Sequence, residues 1–541
     1  MRLKRAKFII LAFALMLIAI PFAIQAAALS AGKQPIFHHQ FGPAPIAGMS
    51  EVPDGTLEEL ADFKTNLPIV VMDVDGQPFH TPSVWDNDKG YQVSVIYDPY
   101  NEGTLSLFDS ADGINRLTDT PALQTNIHTR IRGFSSLSYP KKQYLIKMLN
   151  EDGAHNPQNV LNLGSEWEWV LNISFIDTSL LRNYMSYNIA REIMGIAPKT
   201  RFCEVFLNDH GIYQYQGLYL FIDTIKQGED RVPITDYNPA FTESAYLLKR
   251  DRYNEDDIIL DTYGTRNGLT AEYLSIKYPS QNIITEDTVR YIENDISAFE
   301  EALFSEDVNE FLRYRDFINI DSFLDYFLIN EFFTNYDANL HSMYLYKDLH
   351  GKLTMGPVWD FDQAMDNDFV RDLKIDSTAM HDGVWFRQLL RDGEFVKLLI
   401  DRYTELRKGP LSEENISKFI DEAAAFIEPA RQRDWNRWAY DDYYERQYDE
   451  DLHTKLKRGG FYGDAILQLK TTLHDHGAWM DEHLDTLYQY STIEPGQYRI
   501  AEAESTLSVF FGSEHAKWVL GALAVVFLII FFVSISLIQK E

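Results

Sequence analysis

The segment GPVWDFDQAMDN, residues 356–367, places two aspartates one residue apart directly after a short apolar run. Carboxylates in such a position are candidate ligands for Mg²⁺ or Mn²⁺, because these ions prefer hard oxygen donors. The alternative is an acidic turn on an acidic protein, since the 541-residue chain carries a formal net charge of −32. The choice depends on whether other carboxylates converge on Asp360 and Asp362.

A predicted hairpin brings a third carboxylate to this segment. SMYLYK and KLTMGPVW are strand-like, and DLHG between them supplies turn residues. A hairpin returns its outer ends to the same place, so Asp337, just before the first strand, is expected near Asp360 and Asp362. Three converging carboxylates repel one another unless a cation or raised pKa values compensate.

The order of these residues resembles the catalytic segment of protein kinases. In that segment a catalytic Asp is followed by a metal-binding Asn, then by a hairpin and the D-F-G aspartate that holds Mg²⁺. Here Asp337 stands at the catalytic position, Ser342 at the fifth position after it, and Asp360 begins DFD in place of D-F-G. Each piece alone is common in an acidic chain, but together they favour phosphoryl transfer.

Beyond this segment the chain resembles the spore coat protein H (CotH) kinase family over about residues 66–490. The motifs that carry the resemblance are IRGFSSLSYPKKQYLIKML, SEWEWVLNISFIDTSLLRNYMSYNIAREIMG, FLNDHGIYQYQGLYLFIDTIK and GPVWDFD. The resemblance implies an atypical protein-kinase-like fold, ATP with Mg²⁺ or Mn²⁺ as cofactors, and phosphorylation of protein Ser or Thr.

The resemblance also implies roles for particular residues at the carboxylate segment. Asp337 matches the catalytic residue and Asp360 the metal-binding aspartate, with Ser342 as a further metal ligand. For Asp362, metal binding and capping of the next segment both stay open. Arg182 and the asparagine after it, in LLRN, are expected to tie their helix to a neighbouring loop.

A second group of residues is implied at the nucleotide. Lys142 matches the lysine expected near the phosphates, and Arg132 and Ser136 lie on the loop before it and are expected to face the same phosphates. Local cations are needed there because the field of a −32 chain repels a polyanion. Asp223 stands where family members often carry Glu, and its shorter side chain weakens any pairing with Lys142.

The pattern along the chain predicts an α+β protein with a strand-rich N-terminal half and a helix-rich C-terminal half, plus a C-terminal transmembrane helix. A helix is expected after Asp177, then a hairpin around DHG, and a helix in DSFLDYFLINEFF. The predicted segments are a signal peptide or signal anchor (1–28), a linker (29–65), the kinase-like domain (66–490), a juxtamembrane spacer (491–517) and the transmembrane helix (518–538).

These segments predict a single-pass protein of the cell membrane, with its large domain outside the cytoplasm. The expected partners are ATP, a protein substrate of the envelope or coat, and the membrane through residues 518–538. The acidic charge argues against nucleic acid as a partner. The single cysteine, Cys203, lies in an apolar run and is expected to be buried.

The function predicted from the sequence is therefore an extracytoplasmic, membrane-anchored Ser/Thr kinase that uses ATP and a divalent metal. The alternative is a non-catalytic surface scaffold or adhesin built on the same fold. A carboxylate-pair glycosidase ranks last, because nothing in the sequence distinguishes two carboxyl groups in different environments.

Overall fold

The computed structural model describes residues 44–46, 51–271, 273–367, 375–438 and 462–496. The predicted signal segment, the predicted transmembrane helix and most of the predicted spacer lie outside these ranges. Within them, no helix is long and apolar enough to cross a membrane. The expectation of a C-terminal transmembrane helix that anchors an extracytoplasmic domain to the cell membrane is therefore not supported by any helix that the structure describes.

Most strands precede residue 280. They are β1 (Gly55–Thr56), β2 (Ile69–Asp73), β3 (Ser83–Asp86), β4 (Tyr91–Ser94), β5 (Asn101–Phe108), β6 (Leu123–Arg132), β7 (Gln143–Leu149), β8 (Gln158–Asn159), β9 (Ser165–Glu166), β10 (Glu168–Asn172), β11 (Thr200–Asp209), β12 (Ile212–Asp223), β13 (Tyr246–Arg250), β14 (Leu274–Tyr278), β15 (Met343–Lys347) and β16 (Thr354–Met355).

Seven of these strands form a closed sheet in the order β12-β10-β7-β6-β5-β2-β11, which closes because β11 also pairs with β12. The pairings are antiparallel except that between β2 and β11, which is parallel and sets Val70 beside Val205. The kinase-like fold expected from the sequence is therefore wrong. The closure depends on β2 pairing with a strand about 130 residues further along the chain, which no local pattern specifies.

The interior of the closed sheet is filled by alternate residues of its strands, as the two-residue period of a strand requires. Val70, Leu105, Ile146 and Trp169 are among the buried side chains of this core. Cys203 lies there too, fully buried, as predicted.

The helices of the described residues are concentrated after residue 280. They are α1 (Arg182–Met194), α2 (Tyr263–Arg266), α3 (Glu286–Leu303), α4 (Val308–Leu312), α5 (Tyr314–Phe317), α6 (Ile320–Phe332), α7 (Val384–Leu389), α8 (Gly393–Leu406), α9 (Glu413–Trp438) and α10 (Tyr462–His483). The predicted helix after Asp177 is confirmed as α1, and Gly195 ends it with a φ of 76°. The predicted helix in DSFLDYFLINEFF is confirmed as α6.

A second sheet, in the order β14-β13-β15-β16, packs with these helices. One face of it, including Leu248, Leu274 and Leu345, enters the large core formed with α1, α3 and α6. The opposite face, including Leu247 and Tyr344, packs against a smaller apolar cluster. Trp359, the residue before Asp360, packs against this smaller cluster, so the second face lies beside the candidate site.

Candidate active site

The predicted hairpin is confirmed, and it brings Ser342 beside Asp360. β15 and β16 pair antiparallel, with Leu345 opposite Met355. Ser342 directly precedes β15, and Asp360 follows β16 by five residues. The buried Oγ of Ser342 donates a long hydrogen bond of 3.4 Å to Oδ2 of Asp360. The hairpin therefore sets a hydroxyl and a carboxylate side by side.

Asp337 belongs to the same electrostatic environment. It lies in a 3₁₀ turn, Tyr336–Asn339, where its backbone carbonyl accepts hydrogen bonds from the N–H groups of Leu340 and His341 at 2.9 and 2.7 Å. The negative charge of Asp337 raises the pKa of both Asp360 and Asp362. The charge of Asp337 thus acts on both of the other predicted carboxylates.

Burial raises the pKa of Asp360 to about 6, because desolvation disfavours its charged form. The charges of Asp337 and then Asp251 push the pKa in the same direction. The guanidinium of Arg132 and the hydroxyl of Ser342 oppose the shift. Asp360 is consequently a carboxylate that would gain from a nearby cation.

The pKa of Asp362 is raised well above its usual value, first by desolvation and then by the charge of Asp360. Asp177 and Asp337 contribute further repulsion. The N–H of Gln363 opposes this by donating to the Asp362 carboxylate. Asp362 therefore has both a local backbone contact, as a capping residue would, and a carboxylate neighbour, as a metal ligand would.

The donors available at this place suit a metal ion shared with phosphate. Within the described ranges, no group of three or more His, Cys, Asp or Glu side chains is arranged to hold a metal ion. The donors are the carboxylates of Asp360 and Asp362 and the hydroxyl of Ser342. Mg²⁺ is commonly held by one or two carboxylates together with phosphates and water. These residues fit such a site.

Helix α1 holds the backbone between the two aspartates. The N–H of Asp360 donates to the hydroxyl oxygen of Tyr187 at 3.1 Å, and the N–H of Phe361 donates to Oδ1 of Asn183 at 2.7 Å. Asp360 has a φ of 65°, a left-handed conformation that is uncommon for a non-glycine residue. The contacts from α1 support this conformation.

Arg182 extends the same support along the loop. Its Nε donates to the carbonyl of Ala364 at 2.9 Å and its Nη2 to that of Met365 at 3.2 Å. The fully buried guanidinium is neutralised by Asp177, with Nη1 2.5 Å from Oδ1. The prediction that this part of α1 ties the helix to a neighbouring loop is confirmed, and the loop is the one that carries the aspartates.

Side-chain hydrogen bonds also connect this loop to the closed sheet. Arg132, at the end of β6, donates to Oε1 of Gln143 at 3.0 Å, and Asn172 donates to the same oxygen at 3.1 Å. Asn183 donates to Asn172 at 3.4 Å. The guanidinium of Arg132 also lies 5.9 Å from the ring centre of Trp359. Arg132, one of the predicted phosphate-binding residues, thus lies near the aspartates.

Lys142 is placed differently. Its Nζ donates to the carbonyl of Leu137 at 2.7 Å, and burial lowers its pKa. The carboxylate considered as its partner, that of Asp223, instead lies 2.6 Å from Nη1 of Arg231. Among the described contacts, Arg132 rather than Lys142 is the cation whose charge acts on the aspartates.

Ser136 is buried in a 3₁₀ turn, Ser135–Ser138. Its hydroxyl packs against the backbone of Gly133, where a Cβ atom would lie only 1.8 Å from the Ser136 Oγ. Gly133 also has a φ of 125°, so a glycine is required here. The loop is thereby closely folded beside Arg132.

The second sheet contributes residues that the sequence did not single out for the site. Tyr344 has its pKa raised by burial and then by the charge of Asp251, while Arg132 opposes the shift. Lys277, on β14, lies within electrostatic range of Arg132. Asp251, the residue after β13, also raises the pKa of Asp360 through its charge. A local pattern could not reveal these neighbours, because they reach the site only through pairing of β13, β14 and β15.

Acidic oxygen donors beside a hydroxyl, with an arginine close by, define a class of site suited to metal-dependent chemistry on phosphate. The family model described as CotH kinase protein matches residues 129–457, which is more than half of the chain. The chain therefore belongs to the CotH kinase family, as the sequence motifs predicted. Membership indicates a kinase-related function. A comparison with curated proteins found no match.

Proposed function

We propose that this protein is a metal-dependent kinase that transfers the γ-phosphoryl group of ATP to a Ser or Thr hydroxyl of a protein. One observation carries the proposal: Asp360 and Asp362 have raised pKa values in a shared environment that includes Asp337. Mutually repelling, desolvated carboxylates lower the stability of the folded protein. Carboxylates with pKa values perturbed in this way are concentrated at functional sites. Membership of the CotH kinase family favours phosphoryl transfer as the function of these carboxylates.

In this proposal Asp337 orients the acceptor hydroxyl and accepts its proton. The hydroxyl oxygen bonds to the γ-phosphorus, the bond to the β,γ-bridging oxygen breaks, and ADP leaves. Asp360, Asp362 and Ser342 would hold Mg²⁺ or Mn²⁺ together with the phosphates. A bound metal ion would supply neutralisation of charge on the phosphate oxygens.

The nucleotide-binding part of the proposal involves Arg132, Lys142 and Ser136. Arg132 lies near Asp360, so it is suited to phosphates that share the metal site. For Lys142 to take part, its ammonium group must exchange the Leu137 carbonyl for a phosphate oxygen. The buried Ser136 helps to shape the loop that precedes Lys142.

The proposal is tested by incubating the purified protein with ATP and Mg²⁺ or Mn²⁺ and mapping phosphorylated Ser and Thr by mass spectrometry, with casein as a generic acceptor. Autophosphorylation or acceptor phosphorylation that is lost in Asp337→Asn and Asp360→Asn supports it. Asp321→Asn, which removes an exposed carboxylate at the start of α6, is the matched control. A protein that neither transfers phosphate nor binds nucleotide would favour the scaffold alternative.

A further inference from the structure

Three cations, contributed by the two sheets, lie near one another. Arg132 is at the end of β6 in the closed sheet, and Lys249 and Lys277 are on β13 and β14 of the second sheet. The guanidinium of Arg132 lies 5.9 Å from the ring centre of Trp359, and Trp359 packs against the same apolar cluster as Tyr278, the neighbour of Lys277 on β14. The charges of Lys249 and Arg132 both act on Lys277. In a chain with a net charge of −32, a group of like positive charges needs a physical reason.

The strand register puts Lys249 on the face of the second sheet that carries Leu247 and Tyr344, and it sets Lys277 beside this face. Lys249 lies opposite Ser275 on one side and Tyr344 on the other, so these side chains share a face. Leu247 and Leu248 pair with Tyr278 and Ile276, which leaves the intervening Lys277 as the extra residue of a bulge. Bulges re-aim side chains and recur beside functional sites.

The partners of the three cations differ. Lys249 is paired with Asp257 at 2.8 Å, and Arg132 donates to Gln143 at 3.0 Å. Lys277 has no hydrogen-bond or ion-pair partner among the residues that the structure describes. A bound anion could form an ion pair with such a lysine and would also be attracted by the two other cations.

Lys277 is exposed to solvent and also close to other charged groups of the protein. Its side chain keeps open access to solvent. Even so, the surrounding protein desolvates its ammonium group and, with the charge of Lys249, lowers its pKa to about 8. Glu168 and Asp257 oppose this shift without reaching the ammonium group. A group that is both partly desolvated and reachable from solvent is available to bind a ligand.

We propose that Lys277, together with Arg132, binds the phosphate chain of the nucleotide. This inference rests on the proposed kinase function and adds a residue that neither the motifs nor the family resemblance singled out. Arg132 acts electrostatically on both Asp360 and Lys277. A polyphosphate bound at Arg132 would therefore lie close to both the metal-binding carboxylates and Lys277, and it would neutralise the cations that the fold brings together.

The test is direct binding of ATP and of inorganic triphosphate to the full chain by calorimetry at pH 7, with and without Mg²⁺. Lys277→Gln should weaken both ligands about 10-fold or more, because it removes a charge-assisted contact to phosphate. Lys418→Gln, at an exposed position of α9, is the matched control and should bind as wild type does. Equal thermal unfolding of the variants shows that the fold is intact.

The outcomes separate this inference from the proposed function. Loss of triphosphate binding in Lys277→Gln supports the anion site even where no phosphoryl transfer is seen. Wild-type affinity in Lys277→Gln, together with loss of affinity in Lys142→Gln, overturns the inference and leaves the kinase proposal standing. Failure of the wild-type protein to bind ATP or triphosphate overturns both.

A pH titration provides a second, independent readout. Lys277 faces Arg132, Lys249, Glu168 and Asp257, and its charge is lost as the pH rises through about 8. Wild-type affinity for triphosphate should therefore fall between pH 7 and pH 9.5, whereas Lys277→Arg should retain affinity over this range. Identical pH profiles for the two proteins would overturn the assignment.

Discussion

Asp360 shows at the scale of one residue how a functional group works against stability. Its pKa rises from 3.8 to about 6 on folding, because burial and neighbouring carboxylates disfavour the charged form. At neutral pH the Asp360 side chain is ionised in both states, but its charge is unfavourable only in the folded protein, where it is buried beside other carboxylates. Strained or destabilised groups of this kind are typical of functional sites.

We therefore expect Asp360→Asn to stabilise the metal-free protein at pH 7.5 by about 1–3 kcal/mol, since it removes the desolvated charge and keeps the shape of the side chain. Urea unfolding in the presence of EDTA measures the difference, with Asp321→Asn as the control that should change little. A variant less stable than wild type would show that the Asp360 charge is compensated within the fold.

The same pKa shift predicts how this stability difference depends on pH. A raised folded-state pKa means that Asp360 contributes stability in its protonated form, which is present at low pH and lost as the pH rises through about 6. The difference in free energy of unfolding between Asp360→Asn and wild type should therefore shrink as the pH falls from 7.5 to 4.5. Urea unfolding curves measured across this pH range test the prediction. A stability difference that stays constant with pH would contradict the raised pKa of Asp360.

Helix α1 is the element that positions the aspartate loop. Asn183 accepts the N–H of Phe361 and Tyr187 accepts that of Asp360, while Arg182 binds two carbonyls further along. A loop whose backbone is held at successive peptide groups keeps its carboxylates in a fixed geometry, which metal binding and catalysis require.

We expect Asn183→Ala to weaken Mn²⁺-dependent nucleotide binding and to lower kcat, because Phe361 loses its acceptor and the loop loosens. Asn188→Ala is the matched control, since its buried amide bonds to Tyr184 and Thr200, away from the loop. Both variants should lose about 1–3 kcal/mol of stability. Equal effects of the two variants on Mn²⁺ binding and kcat would argue against a positioning role for Asn183.

The elements also show what the sequence could and could not predict. α1, α6, the hairpin of β11 and β12 and the hairpin of β15 and β16 have local signals of period and turn chemistry, and all are confirmed. The parallel pairing of β2 with β11 has no such signal. The motif PKK also does not reveal that its two lysines have different partners. The ammonium group of Lys141 donates to Asp434, whereas that of Lys142 donates to the carbonyl of Leu137.

At the scale of the whole molecule, α9 joins the helical part to the closed sheet through buried ion pairs. Lys141 lies 2.6 Å from Asp434, which also accepts the N–H of Leu218 on β12. Arg433 lies 2.7 Å from Glu204 on β11. These charges are costly to bury, so each pair is sensitive to loss of one partner.

We expect Asp434→Ala to destabilise the protein by about 3–5 kcal/mol, because it leaves the Lys141 ammonium buried without its carboxylate. Asp401→Ala breaks an exposed pair with Lys397 and should cost about 0–1 kcal/mol. Denaturant unfolding compares the two variants. Recovery of stability in the double variant Lys141→Met, Asp434→Leu would confirm the cause, whereas a cost below 1 kcal/mol for Asp434→Ala would contradict it.

The fold as a whole departs from the kinase-like expectation, yet the carboxylates predicted from the hairpin share one environment. The ends of a hairpin are adjacent in any fold that contains it, so the relation of Ser342 and Asp360 could be predicted locally. The approach of Lys277 to Arg132 could not, because it depends on how the second sheet packs against the closed sheet.

The central claim is that the Asp360 carboxylate serves phosphoryl transfer. The most direct measurement is the rate at which phosphoserine or phosphothreonine forms from ATP and Mn²⁺, compared between wild type and Asp360→Asn at equal folded concentration. The claim predicts transfer by the wild type and a rate at least ~10³-fold lower in the variant. Phosphorylation at the same rate by both proteins would contradict it.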